Sequence, residues 1–127
     1  MKWFSYFFLS LLAISLLSAC SKLNIEHFKV LGTDRFDQQR WSTGDEIARG
    51  KMLYDFLVSN SPILGKDRDF IIEQLGPNTG YYLYDSFPAY YLGPKPKEGP
   101  AKAWLVAFVL NHETNKVREI YVHPDFK

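Results

Sequence analysis

The side chains that most often carry catalysis or hold metals are sparse and scattered in this chain. Histidines stand at His27, His112 and His123, none four residues from another, and no His-Glu-x-x-His motif is present. Ser59, Ser61 and Ser86 lack the Gly-x-Ser-x-Gly setting that holds a nucleophilic serine on an exposed turn. Gly93 and Gly99 are separated by prolines and lysines, so no glycine loop presents successive N–H groups to a phosphate. Asp67, Asp69 and Asp85 read as helix-cap or solvated charges. Cys20 is the single cysteine, which excludes an intrachain disulfide and a cysteine zinc site. The expectation is a non-enzymatic protein with no catalytic residues, no metal and no cofactor.

What Cys20 can do follows from what precedes it. Lys2 supplies a charged start, and an apolar run from Trp3 to Leu17 follows, interrupted only by Ser5, Ser10 and Ser15. Small residues Ser18 and Ala19 close it. This is the layout of a cleaved export signal over residues 1–19. Trp3 to Ala19, 17 residues, is at the lower edge of the ~17–25 that spanning a bilayer needs, and only Lys22 follows it closely. Leu17-Ser18-Ala19-Cys20 resembles the lipobox of bacterial lipoproteins. That resemblance implies a thioether from Cys20 to diacylglycerol and acylation of its new amine, hence a partnership with the membrane through lipid. Several acyl chains, at ~0.8 kcal/mol per buried methylene, anchor stably where one chain is marginal. In the enterobacterial lipoproteins that this lipobox resembles, Asp after the cysteine signals inner-membrane retention, so the resemblance with Ser21 in that place implies the outer membrane, on its periplasmic face.

Composition narrows the partners further. Lys plus Arg is 15 against 14 Asp plus Glu, so no basic excess exists to track a nucleic-acid backbone. Hydrophobic residues at 46% with 23% charged are enough for a packed core and exclude a disordered chain. Aromatics are the outlier, with 10 Phe, 8 Tyr and 3 Trp.

The elements that must position these rings are legible in part. Residues 20–40 have mixed polarity and no sustained period, and read as a lipidated tether. Phe28, Val30, Leu31 and Phe36 offer isolated contacts through which part of it can dock. The folded domain is expected over 41–127. A first helix should start near Ser42 and Thr43, with Thr43 and Glu46 at capping-box spacing and Asp45 and Glu46 in the first turn. Ile47, Tyr54, Leu57 and Val58 should share its buried face, with Met52 and Leu53 flanking, and Pro62 ends it. Gly50 inside it either permits a close approach or is tolerated. A second helix follows Asp67, expected to cap it, and carries Phe70, Ile71, Ile72 and Leu75 before Gly76-Pro77 stops it.

Strands occupy the remainder. Tyr81-Tyr82-Leu83-Tyr84 and Tyr90-Tyr91-Leu92 are short β-prone runs, and Gly93 to Pro100 is a proline-stiffened loop. Lys102 to Leu110 is apolar on both alternating faces, as in a strand covered on both sides. A turn at 111–116 leads to a last strand ending at Pro124. Helices followed by strands predict an α+β two-layer sandwich, with two N-terminal helices packed on a three- to four-stranded antiparallel sheet. The candidate partner-binding residues are Tyr81, Tyr82, Tyr84, Phe87, Tyr90 and Tyr91, because tyrosine offers contact area at low rotamer cost with a polar tip; the alternative is that these rings are core and sheet surface.

Gly65-Lys66-Asp67, Ile71 and Gln74-Leu75-Gly76-Pro77, with Tyr90-Tyr91-Leu92-Gly93, Trp104-Leu105-Val106-Ala107-Phe108 and Val117, resemble the small outer-membrane lipoproteins of the SmpA/OmlA (BamE-like) type. The similarity spans roughly residues 41–123. It implies a lipoprotein that acts as a scaffold or assembly subunit by binding an envelope protein partner. Similar helix-helix-strand patterns occur in secreted or periplasmic inhibitor domains of the β-lactamase-inhibitor type, which is the alternative.

Overall fold

The computed structural model describes residues 24–126. The leader 1–19, Cys20 and the first residues of the expected tether lie outside that range. Within it the chain is α+β, with helices preceding a three-stranded antiparallel sheet.

The described part of the expected tether is folded. Asn24 accepts a hydrogen bond from the Glu26 N–H and opens a 3-10 helix, η1 (Ile25–Leu31), which buries Phe28 and Leu31. Beyond it the backbone is pinned to the longer helix over Glu46–Ser59 by two bonds. The Asp34 N–H donates to the Lys51 carbonyl at 2.9 Å and the Phe36 N–H to Asp55 Oδ2 at 2.8 Å. Asp37 then caps a short helix, α1 (Gln38–Thr43), which buries Trp41. Part of the expected tether, residues 25–40, is therefore docked on the domain, through Phe28 and Leu31. Phe28 and Leu31 are buried, Ile25 and Phe36 pack at the margin and Val30 is exposed, an irregular spacing that leaves no period to read.

Helix α2 (Glu46–Ser59) starts at Asp45, whose carboxylate accepts from the Ala48 N–H at 2.8 Å. The Thr43–Glu46 capping box does not form. Thr43 ends α1, and its hydroxyl donates back to the Gln39 carbonyl at 2.9 Å. The buried face also differs from expectation. Gly50, Met52, Leu53, Phe56 and Leu57 point inward, while Ile47 and Val58 are exposed. Gly50 sets this rotation by pressing on the backbone of Gly93 at the end of the first strand, so its close approach is required. Tyr54, at the margin, donates its hydroxyl to Glu26 Oε1 and ties α2 to η1.

Helix α3 (Arg68–Leu75) ends as its punctuation predicts, with Gly76 at φ 80 donating its N–H to the Ile72 carbonyl. Its start does not. Asp67 occupies the cap position but makes no capping bond, and its carboxylate pairs with Lys116 Nζ at 3.2 Å. The Asn115 carbonyl accepts from the Arg68 N–H instead. The turn between the last two strands thus takes part of the cap's role, and Asp67 and Lys116 form a backbone bridge beside it. That ion pair is more than half exposed and contributes little.

Strands β1 (Ala89–Leu92), β2 (Trp104–Leu110) and β3 (Val117–His123) pair in that order, with Tyr90 opposite Val106 and Phe108 opposite Ile120. Alternation along the ladder puts Tyr90, Val106, Phe108, Ile120 and Val122 on the face that meets the helices. The opposite face carries Ala89, Ala107, Val109 and Tyr121. Ala107 and Val109 are nevertheless buried, as the two-sided apolar pattern of β2 predicts.

The expected strand at 81–84 is not a strand. This segment makes only an isolated bridge between Tyr82 and Tyr84, across Leu83 at φ 62. Among the described residues the sheet has three strands, the lower of the three to four expected. The segment reaches the outer sheet face at two points. The Tyr82 ring stacks on Tyr121 with centroids 4.0 Å apart, and Gly80 lies against Leu105 and the Tyr91 ring so closely that a Cβ there would clash. Thr79 and Gly80 N–H groups both donate to the Ala89 carbonyl, which occupies the outer edge of β1 at that point.

Candidate contact surface

The six aromatic residues singled out from the sequence divide by burial into two groups. Phe87 and Tyr90 are core residues, at 2% and 0% exposure, and are withdrawn as partner contacts. Tyr90 sits on the inner sheet face, edge-on to Trp41 and Phe108, and its hydroxyl donates to the Gly76 carbonyl at 2.8 Å. Tyr82 is half-buried through its stack on Tyr121. Tyr81, Tyr84 and Tyr91 are exposed.

Burial raises the Tyr90 phenol above its usual value of 10.0, opposed by the charges of Arg49 and Arg68. The folded state therefore holds this proton more tightly than the unfolded chain. Stability from this group is complete below about pH 10 and is lost above it, at up to about 1.4 kcal/mol per pH unit until the folded form itself ionises. Tyr90→Phe should remove that alkaline slope, at a cost near neutrality of about 1 kcal/mol for the lost hydrogen bond. Urea unfolding at pH 8 and above pH 10 would check both. An unchanged alkaline slope in the variant would place the responsible group elsewhere.

The exposed group centres on Leu83, which lies in the same segment but is not among the six aromatics. Leu83 is 59% exposed and held in the left-handed region. Bulky side chains rarely adopt that conformation, and an exposed leucine has no core contact to compensate it. The Tyr81 hydroxyl donates to the Leu83 carbonyl at 2.6 Å, and the Tyr84 N–H bonds the Tyr82 carbonyl. Tyr84 is braced from behind by Phe87 and His112, whose ring lies 4.7 Å from its own. His112, in the expected turn, is exposed and forms this aromatic support. The arrangement can present apolar surface with phenol tips on a fixed loop. Its composition was visible in the run Tyr-Tyr-Leu-Tyr, but the turn that projects Leu83 carries no glycine or asparagine to announce it.

Two hollows lie elsewhere. One, of about 810 Å³, opens between η1, the proline loop and the chain after β3, and is lined by Val30, Leu31, Pro94, Pro96, Trp104 and Phe126 among others. A smaller one, of about 420 Å³, is bounded by Glu46, Tyr91, Lys102, Leu105 and His123. Among the described residues, no group of three or more His, Cys, Asp or Glu side chains is placed to hold a metal ion. No helix among them is long and apolar enough to cross a membrane.

Comparison of the chain with protein families, with curated proteins and with solved structures finds no match.

Proposed function

We propose that this chain is a non-enzymatic envelope lipoprotein, of the SmpA/OmlA (BamE-like) type that its motifs resemble. It is held to the periplasmic face of the outer membrane by lipid on Cys20. It acts as a scaffold or assembly subunit that binds a protein partner through the loop 81–84. Leu83 carries this reading. Holding a non-glycine residue in the left-handed region costs on the order of 1–2 kcal/mol, and such strain collects where a contact needs it. Exposed tyrosines on either side supply the area and polar tips common in binding hot spots.

Leu83→Asn tests the loop without touching the core, because asparagine tolerates the left-handed region. The full-length variant should be as stable as the parent or slightly more so in thermal unfolding. Capture of its partner from detergent-solubilised envelopes should fall about tenfold or more, as expected for a hot-spot residue worth over about 1.4 kcal/mol. Undiminished capture would move the contact off this loop. Recovery of a tight soluble partner by chain lacking lipid, with no membrane complex, would favour the inhibitor-like alternative.

A further inference from the structure

The groove beside η1 is the feature that the partner-binding loop leaves unused. Its walls are apolar, with Val30 71% exposed at the mouth and Trp104 stacked on Phe126 at 4.6 Å. Glu26, Glu98 and Asp125 stand around it against Lys95 and Lys97, so it has no excess of positive charge to select an anion. An occupant must therefore be chiefly hydrocarbon.

The course of the chain says where this groove would sit. Asn24 caps η1, and η1 forms one wall. Cys20 precedes Asn24 by four residues, which span at most roughly 14 Å when fully extended. If Cys20 carries lipid, Asn24, where the η1 wall of the groove begins, is held within that distance of the anchor. An exposed valine with a tryptophan and a phenylalanine also suits the boundary between headgroups and acyl chains. We propose that the groove is the membrane-facing seat of the domain and takes an acyl chain of a zwitterionic phospholipid from the leaflet. This rests on the lipid-anchor reading above, and places the Tyr81–Tyr84 loop as a separate, partner-facing surface.

The test uses full-length chain processed in a bacterial host and reconstituted into phosphatidylethanolamine vesicles with brominated acyl chains. Trp104 is the reporter, its signal isolated by comparison with Trp104→Phe. Intact mass is read on the same material. The expected result is a lipid adduct on Cys20 together with quenching of the Trp104 emission. Val30→Glu should lose that quenching while staying anchored and folded, since the Val30 side chain is largely exposed. An adduct on Cys20 with unquenched Trp104 overturns the groove assignment and leaves the anchor intact. Cross-linking of Val30 to a second copy or to a protein, in place of quenching, overturns it likewise. A free thiol at Cys20 removes the anchor reading and this inference with it.

Discussion

Gly50→Ala lowers the stability of the domain by about 1–3 kcal/mol, although alanine is the better helix former. Helix propensity alone favours the substitution by up to ~1 kcal/mol. The structure reverses the sign. A Cβ at Gly50 would lie on the carbonyl oxygen of Gly93 and 3.1 Å from its carbonyl carbon, and both are backbone atoms that no rotamer change can move. Gly93 is fixed in turn, because its N–H donates to the Glu46 carbonyl at 2.8 Å and a Cβ on it would meet Ile47. The glycines therefore set the distance between α2 and the end of β1. Relief requires α2 to move off the sheet, opening the contacts of Leu53 and Phe56. Overpacking of this kind costs ~1–3 kcal/mol and occasionally more. The urea midpoint, at unchanged slope, is the measurement. A stabilised Gly50→Ala protein would show that the helix does not rest on Gly93.

That contact also marks how far the sequence carries. The pattern of β2 was readable because alternation depends on the strand alone, and its two apolar faces announced two covers. Gly76-Pro77 was readable because a stop signal acts on its own turn. The rotation of α2 was not, since its apolar residues nearly encircle it and the choice between Ile47 and Met52 is made by Gly93, far along the chain. Asp67 had every local mark of a cap. Its role passed to the Asn115 carbonyl and its charge to Lys116, both from a turn that only the tertiary fold brings there. The tyrosine run failed as a strand for a related reason. The outer edge of β1 is already taken at Ala89 by the Thr79 and Gly80 N–H groups, so residues 81–84 lie over the sheet face instead of extending it. Of the candidate contacts, composition identified the segment, and burial alone separated Tyr81, Tyr84 and Tyr91 from Phe87 and Tyr90.

Trp41→Ala is expected to be still more damaging, at about 3–5 kcal/mol for removal of a fully buried large ring. Trp41 has no exposed surface and bonds or packs against residues of α2, α3 and β1. Its indole N–H donates to the Leu75 carbonyl at 2.7 Å, satisfying the last turn of α3. Its ring meets Tyr90 of β1 edge-on at 5.9 Å and Phe36 at 6.1 Å. The Arg49 guanidinium of α2 lies over the ring at 5.3 Å, with its Nε bonded to the Trp41 carbonyl. Trp41→Phe divides the effect. It keeps most of the ring packing but leaves the Leu75 carbonyl without its donor, a loss of about 1–3 kcal/mol. The pair of variants, compared by chemical unfolding, tests whether short helix α1 is structural mortar or a dispensable lead-in to the domain. A Trp41→Ala protein near wild-type stability would show that residues 25–43 are dispensable to the core. A loss of the expected size makes them the third side of the core, against which α2, α3 and β1 are all held.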